Sequence, residues 1–345
     1  MSTTRHTLTK TRPLKGIVLS LSLSALSMAI HAEKLPPLSL DLANVTVSGL
    51  SSGAYMATQF HLANSDWVKG IGVIGTGPYY CAEGDITIAL NLCVSKVGGE
   101  ISVSNLSAKA NEYANSGAIP DMNNLVDSKV WVLHGANDTT VNRPAADALV
   151  EQYKNWVAPN SVVYVSDKPF AHHFPTLTSG VDCTVSESPY LGSCNYDAAG
   201  ELLKHLKGQL EPRVESPKGT LASFDQHALG GDEAESLSDK GYVYIPQQCT
   251  TESCDLHISF HGCNQYADAV GVAYASNTGL NNWADSNNMV VLYPQTTKSL
   301  FMPLNPQGCW DWWGYTDENY ATKDAMQIKA VTNMVNALSK NEQGD

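Results

Sequence analysis

Val45-Thr46-Val47-Ser48-Gly49-Leu50-Ser51-Ser52-Gly53-Ala54-Tyr55-Met56 is the stretch on which the reading of this 345-residue sequence turns. Val45 to Ser48 is short and β-branched, the signature of a strand. Ala54 to Phe60 reads as a helix, and Gly49-x-Ser51-x-Gly53 lies between the two. This is the pattern of a nucleophile elbow, a sharp strand-to-helix turn that strains the Ser and exposes its hydroxyl. Glycines flank it because a side chain at either place would strike the neighbouring strand or helix. The bare five-residue pattern is common. The strand before it and the small residues after it give it weight.

A nucleophilic Ser needs a base, and the base needs an orienting acid. Behind an elbow they follow in the order Ser, acid, His, each after a strand. Lys129-Val130-Trp131-Val132-Leu133 is a strand, and His134-Gly135-Ala136-Asn137-Asp138 follows it. Asp138 is therefore the candidate acid, although Asn137-Asp138 is also good turn chemistry. Asp167 is the alternative, disfavoured because it sits so close to the candidate base. The strand Ser161 to Val165 leads into Phe170-Ala171-His172-His173-Phe174-Pro175-Thr176, where two adjacent histidines compete for the role of base.

Composition agrees with a folded, exported enzyme. Hydrophobic residues make up 43% and charged residues 16%, so a sizeable core is expected rather than disorder. Residues 1–32 carry Arg5, Lys10, Arg12 and Lys15 ahead of an apolar stretch, with Ile30-His31-Ala32 as a cleavage site. That is the layout of a secretory signal peptide, and its apolar run is too short and Ser-rich for a membrane span. The formal charge is −13, and loss of these four basic residues leaves 17 basic against 34 acidic side chains. Such a chain repels phosphate backbones, so nucleic acid is excluded as a partner; no membrane partner is expected, and a monomer is. Eight cysteines follow the leader, an even count that points to disulfides in an exported chain. Neighbours in sequence pair as Cys81 with Cys93, Cys183 with Cys194 and Cys249 with Cys254, leaving Cys263 with Cys309. Scattered cysteines without C-x₂-C or H-x₃-H spacing argue against a metal site.

The oxyanion of an acyl-transfer intermediate needs hydrogen-bond donors. The N–H of Ser52, directly after the nucleophile, is one. The second normally comes from an HG-type loop that precedes the nucleophile, yet only about 18 residues separate the cleavage point from Ser51. The missing loop is at the other end: Phe260-His261-Gly262-Cys263-Asn264-Gln265 follows the strand Leu256 to Phe260. Behind it come a helix near 271–286, a strand over 289–294 and an amphipathic helix over 324–338. The simplest reading is a circularly permuted α/β-hydrolase, a mainly parallel sheet with helices on both faces. Residues 33–345 would form one catalytic domain, with 207–240 as the long connection at the permutation and the two ends close together. The rival reading, a second domain starting near residue 215, leaves the elbow without its fold. Cys309-Trp310-Asp311-Trp312-Trp313-Gly314-Tyr315 is dense in aromatic rings, suited to an apolar acyl or polymer chain when beside the site and to core packing when not.

Several of these motifs together resemble the extracellular poly(3-hydroxybutyrate) depolymerases of the single-domain, circularly permuted type. The likeness rests on Gly49 to Met56, His172-His173-Phe174-Pro175-Thr176, Cys194-Asn195-Tyr196-Asp197, Ser223-Phe224-Asp225-Gln226, Gly241 to Pro246, His261-Gly262-Cys263 and Cys309-Trp310. The resemblance implies a secreted serine esterase that hydrolyses poly(3-hydroxybutyrate) or related short-chain polyhydroxyalkanoates and uses no cofactor or metal. It implies Ser51 as nucleophile, Asp138 as acid and His172 as base, the family His lying three residues before the Pro. It also implies the amides of Ser52 and Cys263 as oxyanion donors and Trp310 as an aromatic residue of the substrate cleft. His173 departs from the pattern. With no polymer-binding module expected after the catalytic domain, adsorption to solid polymer would use exposed apolar residues around the cleft. The alternative keeps the machinery and changes the substrate to feruloyl or acetyl esters of plant polysaccharides.

Overall fold

The strand before the elbow is longer than its β-branched core implies. In the computed structural model, which describes residues 1–4, 35, 38–95 and 99–339, β1 spans Leu40–Leu50. The chain divides into Met1–His31 and Ala32–Asp345. Beyond residue 4 the leader expected over 1–32 lies outside the described residues, and all that follows concerns the second part. No helix among the described residues is long and apolar enough to cross a membrane.

After β1 come β2 (Val68–Ile74), β3 (Lys129–Leu133) and β4 (Val162–Val165). Three short strands, β5 (Phe174–Thr176), β6 (Val181–Asp182) and β7 (Leu191–Ser193), make a small sheet of their own. Then come β8 (Thr220–Asp225), β9 (Lys240–Ile245), β10 (Cys254–Phe260) and β11 (Met289–Tyr293). The main sheet has the order β4-β3-β2-β1-β10-β11-β9-β8. Every neighbouring pair is parallel except those made by β9, which runs against both β11 and β8. Strands covered on both faces are continuously apolar, and Met289-Val290-Val291-Leu292-Tyr293 is buried at every position.

The order of the strands explains why the expected oxyanion loop lies in the C-terminal third of the chain. Leu38 N–H donates to Leu338 O at 2.7 Å, and Leu38 bridges to Ser339. The start of β1 and the end of the helix Met326–Leu338 are therefore neighbours. Followed from β8 across that junction, the chain supplies the sheet in the order of an α/β-hydrolase, with the antiparallel strand second and the nucleophile strand β1 fifth. The circular permutation is thus visible in the topology.

Two expectations need correction. The stretch 207–240 is not one long connection: its longest run without a regular element is 208–219, and Thr220–Asp225 forms the edge strand β8, followed by the helix Gln226–Gly230. As an edge strand β8 buries little but Phe224, which leaves its sequence without a clear alternation. The single helix expected over 271–286 is broken into Ala273–Asn277 and Leu280–Ser286, with Gly279 at φ +90° between them. The four disulfides pair as expected, 81–93, 183–194, 249–254 and 263–309.

Candidate active site

Ser51 sits between the end of β1 and the helix α1 (Ser52–Ala63). Its backbone has φ 57° and ψ −124°, a region that L-residues avoid. Its N–H is held by Ile74 O on β2 at 2.9 Å. The flanking glycines are required by close approach. A Cβ at Gly49 would lie 2.2 Å from Gly53 O, and one at Gly53 would lie 2.2 Å from both Phe260 O and His261 O. The elbow is therefore pressed against the end of β10, and the oxyanion loop begins where that strand stops.

The two other expected members meet. His172 Nδ1 and Asp138 Oδ2 are 2.7 Å apart, with both side chains buried. Asp138 Oδ1 accepts the N–H groups of Thr140 and Val141 at 2.9 and 3.0 Å. Burial pushes the Asp138 carboxyl up, but the His172 bond and charge and the Val141 amide outweigh it, and its pKa is lowered. His173 points elsewhere: its Nε2 lies 2.8 Å from Cys183 O, beside the 183–194 disulfide. The sequence cannot separate these neighbours, because nothing periodic fixes which of two loop residues faces the site. Ser51 Oγ makes no hydrogen bond to His172 here, but both line one cleft of about 810 Å³, and such bonds are commonly long without substrate. Among the described residues, the exposed Asp167 pairs only with its neighbour Lys168, at 3.5 Å.

Ser52 and Cys263, the expected oxyanion donors, both line this cleft. Ser52 is the first residue of α1, so its amide lies among those with no partner inside the helix. The Cys263 amide meets no backbone acceptor among the described residues, and Cys263 lines the cleft. A Cβ at Gly262 would be 3.4 Å from Ser51 Cβ, which measures how closely the loop overlies the Ser.

With the geometry in view, the comparisons with known proteins are specific. A family model described as "Esterase PHB depolymerase" matches residues 240–343. A poly(3-hydroxybutyrate) depolymerase of Delftia acidovorans is 39% identical over 323 residues, 92% of this chain; the chain spans 64% of that relative's length. A polyhydroxybutyrate depolymerase of Talaromyces funiculosus is 35% identical over 330 residues, covering 91% of this chain and 95% of the relative. The chain belongs to the polyhydroxybutyrate depolymerase family. Among solved structures, a PHB depolymerase complexed with an R3HB trimer superposes with a TM-score of 0.82 at 34% identity, covering 88% of this chain and 98% of that one. The PHB depolymerase from Penicillium funiculosum gives 0.81 at 34% identity, covering 88% and 97%.

Within this family member one expected residue is out of place. Trp310 does not line the cleft. It is fully buried, edge-on to Phe260 with ring centres 5.0 Å apart, and 5.6 Å from the ring of His261. Following Cys309 puts it beneath the oxyanion loop and not above it. Of the same segment, Trp312, Trp313 and Tyr315 are the rings that line the cleft. Asp311 shapes that turn: Oδ1 accepts the amides of Gly314 at 2.7 Å and Tyr315 at 2.9 Å, and Oδ2 accepts the amide and hydroxyl of Thr316 at 2.9 and 2.6 Å. Burial raises the Asp311 pKa against these donors.

Sequence reasoning passed over the opposite walls. Tyr55 stacks on Trp312 with ring centres 4.1 Å apart and gives its hydroxyl to Cys93 O at 3.0 Å. Its one signal was its place a helical turn beyond Ser51. Ile86 and Leu90 line a second wall, behind the 81–93 disulfide. Met302 and Leu304 line the mouth, where Leu300, Phe301, Met302 and Leu304 are exposed. The signal for these was an apolar run, Leu300-Phe301-Met302-Pro303-Leu304, in a stretch with no helix or strand to bury it.

Proposed function

We propose that this chain is a secreted serine esterase that hydrolyses the ester bonds of poly(3-hydroxybutyrate) or related short-chain polyhydroxyalkanoates through an acyl-enzyme. The observation that carries this reading is the 2.7 Å His172–Asp138 pair on the same apolar cleft as a Ser held at an elbow. The named activity of the relatives supports the substrate, and four disulfides support export.

In the first step Ser51 Oγ attacks the ester carbonyl while His172 Nε2 takes its proton. Asp138 holds the imidazole through Nδ1 and stabilises its cation. The amides of Ser52 and Cys263 receive the negative oxygen. Collapse of the intermediate expels the alcohol end of the polymer, which leaves with the proton from His172. In the second step His172 deprotonates a water molecule, which attacks the acyl-Ser51 carbonyl, and the acid product departs as Ser51 recovers its proton. Trp312, Trp313 and Tyr315 offer apolar faces to the chain on either side of the scissile bond. Leu300, Phe301, Met302 and Leu304 are the apolar surface through which the cleft mouth meets solid polymer. The feruloyl or acetyl esterase alternative draws no support from the relatives above.

The deciding experiment is loss of turbidity of a poly(3-hydroxybutyrate) suspension, wild type against Ser51→Ala. Clearing by wild type alone is expected. Clearing by both would refute the nucleophile. Clearing by neither, with Ser51-dependent cleavage of soluble short-chain esters, would refute the polymer and leave the esterase.

A further inference from the structure

The oxyanion loop contains a histidine that the mechanism above does not use. His261 is fully buried. Its Nε2 accepts the backbone N–H of Thr296 at 3.1 Å. A backbone amide can only donate, so Nε2 carries no proton and the ring proton sits on Nδ1. Nδ1 lies 2.7 Å from Gly262 O, which can only accept. The tautomer is therefore fixed at both ends.

The bond to Gly262 O bears on the site, because Gly262 O and Cys263 N–H belong to one peptide plane. In a trans peptide these two groups point in opposite directions. A donor that holds the oxygen on the buried side therefore aims the Cys263 N–H at the cleft, over Ser51. We propose that His261 is a positioning residue for the oxyanion hole: through its Nδ1–H it fixes the Gly262–Cys263 peptide so that the Cys263 amide faces the developing negative oxygen.

The surroundings are built for this. Trp310 walls the ring at 5.6 Å and Tyr274 at 6.3 Å. Thr296 gives its hydroxyl to Gly308 O at 2.6 Å, which ties the Thr296 turn to the chain just before Cys309. Gln265 Oε1 accepts the Gly262 amide at 2.8 Å, and the Gln265 amide donates to Gly262 O at 3.2 Å, so a second side chain braces the same loop. Burial lowers the His261 pKa to about 4, against a smaller raising effect of the Gly262 bond. The ring is therefore neutral at working pH, and it leaves no charge beside the oxyanion when the site is empty.

The inference rests on the esterase reading, so Ser51→Ala is the control. Three variants are compared on soluble p-nitrophenyl butyrate and for inhibition by butylboronic acid, whose tetrahedral adduct on Ser51 mimics the intermediate. Asparagine can offer an N–H where Nδ1 was, glutamine reaches instead towards the Nε2 position, and leucine offers neither. Expected is a fall in kcat of about 10- to 100-fold for His261→Leu and His261→Gln, short of the roughly 10²- to 10³-fold cost of losing a donor outright. KM should stay within about twofold and the boronate Ki should rise by a factor similar to the loss of kcat, as for an interaction made in the transition state. His261→Asn should recover kcat to within about fivefold of wild type. If His261→Leu does not fold, the Asn and Gln pair decides. Equal kcat in these two would overturn the proposal, as would a boronate Ki unmoved while kcat falls. ¹⁵N-histidine spectra of the wild type and of His261→Asn, compared, must show a second buried ring protonated at Nδ1 alone, besides His172, that the variant lacks; its absence overturns the proposal too. If Ser51→Ala retains wild-type hydrolysis, the esterase reading falls instead, and the two failures are distinguishable.

Discussion

Gly75→Ala is the sharpest test of the site because it changes one methyl group and touches neither triad side chain covalently. Gly75 follows β2, has φ +58°, and lies against His172 and Asp138, the proposed base and acid. A Cβ there would sit 2.8 Å from His172 Nδ1 and 3.0 Å from Asp138 Oδ2. Ordinary contact needs about 3.4–4 Å, so the imidazole must retreat by roughly 0.6–1.2 Å or the backbone must shift. That displacement stretches the 2.7 Å His172–Asp138 bond towards the limit of a hydrogen bond. A misplacement of about 1 Å in a catalytic group costs on the order of 10²-fold. The left-handed backbone adds about 1–2 kcal/mol of strain in stability. Gly117→Ala is the control, since Gly117 has φ +75° but a Cβ there meets nothing within 4 Å. Both variants should lose similar stability by calorimetry, and only Gly75→Ala should lose about 10²-fold in kcat on a soluble ester. A folded Gly75→Ala with wild-type kcat would refute the placement of His172 against Asp138.

Three further outcomes are expected. His61 and His257 are fully buried with pKa values pushed down to about 3, and His261 to about 4, burial being the main cause in each. Below pH 6.5 the unfolded chain binds protons that the folded chain refuses, so stability is full above 6.5 and falls as pH drops towards 4. The loss is about 1.4 kcal/mol per pH unit for each ring, and a urea midpoint unchanged between pH 7 and pH 5 would contradict it. Asp138 behaves as a depressed acid: its contribution holds above the unfolded value near 3.9 and is lost only as pH falls through the lower folded value. Asp138→Asn should therefore leave the stability slope between pH 7 and pH 5 intact while abolishing turnover, and a changed slope would count against this assignment. Leu300→Ser with Phe301→Ser should weaken adsorption to polymer films by roughly 10-fold or more, from about 1.5–3 kcal/mol of lost burial per large side chain. Its kcat on a soluble ester should not change, and equal adsorption would remove the loop from the polymer-binding surface.

The parts of the site that were legible in the sequence are those whose chemistry demands a residue type at a strand end. Gly53 falls into this class because its close approach to the end of β10 admits no side chain, Gly49 because a Cβ there would strike the Gly53 backbone, Ser51 because it lies between the two, and Asp138 because it follows a buried β3. His172 was legible only as one of a pair, since nothing in Ala171-His172-His173-Phe174 says which ring turns to Asp138 and which to Cys183 O. Trp310 was misplaced for a related reason. An aromatic cluster in an irregular segment has no period, and Asp311, which folds the turn by accepting successive amides, looked in sequence like any surface acid. The helix α1 hid Tyr55 because all of α1 is buried, so it has no polar face against which a cleft-facing side chain could stand out. β8 was hidden by the opposite circumstance, an edge strand with little of its surface buried.

The permutation could be inferred because the chemistry depends on adjacency in the sheet and not on order in the chain. β1 and β10 are parallel neighbours with Gly49 opposite Phe260, so the elbow and the oxyanion loop emerge side by side. A buried chain of polar groups fastens them: Thr46 Oγ1 and Ser48 Oγ each lie 2.8 Å from His257, on Nδ1 and Nε2, and Ser259 Oγ is 2.9 Å from the Tyr274 hydroxyl. Partners such as Thr46 and His257 are 211 residues apart in the chain. Closing so long a loop is costly before the contacts it allows are made. The strained elbow is therefore expected to hold only once the C-terminal third has joined the sheet, because Gly53 lies against carbonyls of Phe260 and His261. A chain ending before β8 would keep Ser51, Asp138 and His172 yet lack both the Cys263 amide proposed as an oxyanion donor and the strand against which the elbow is bent. Such a fragment is expected to be inactive for want of the fold that strains the Ser, although it holds all three proposed triad residues.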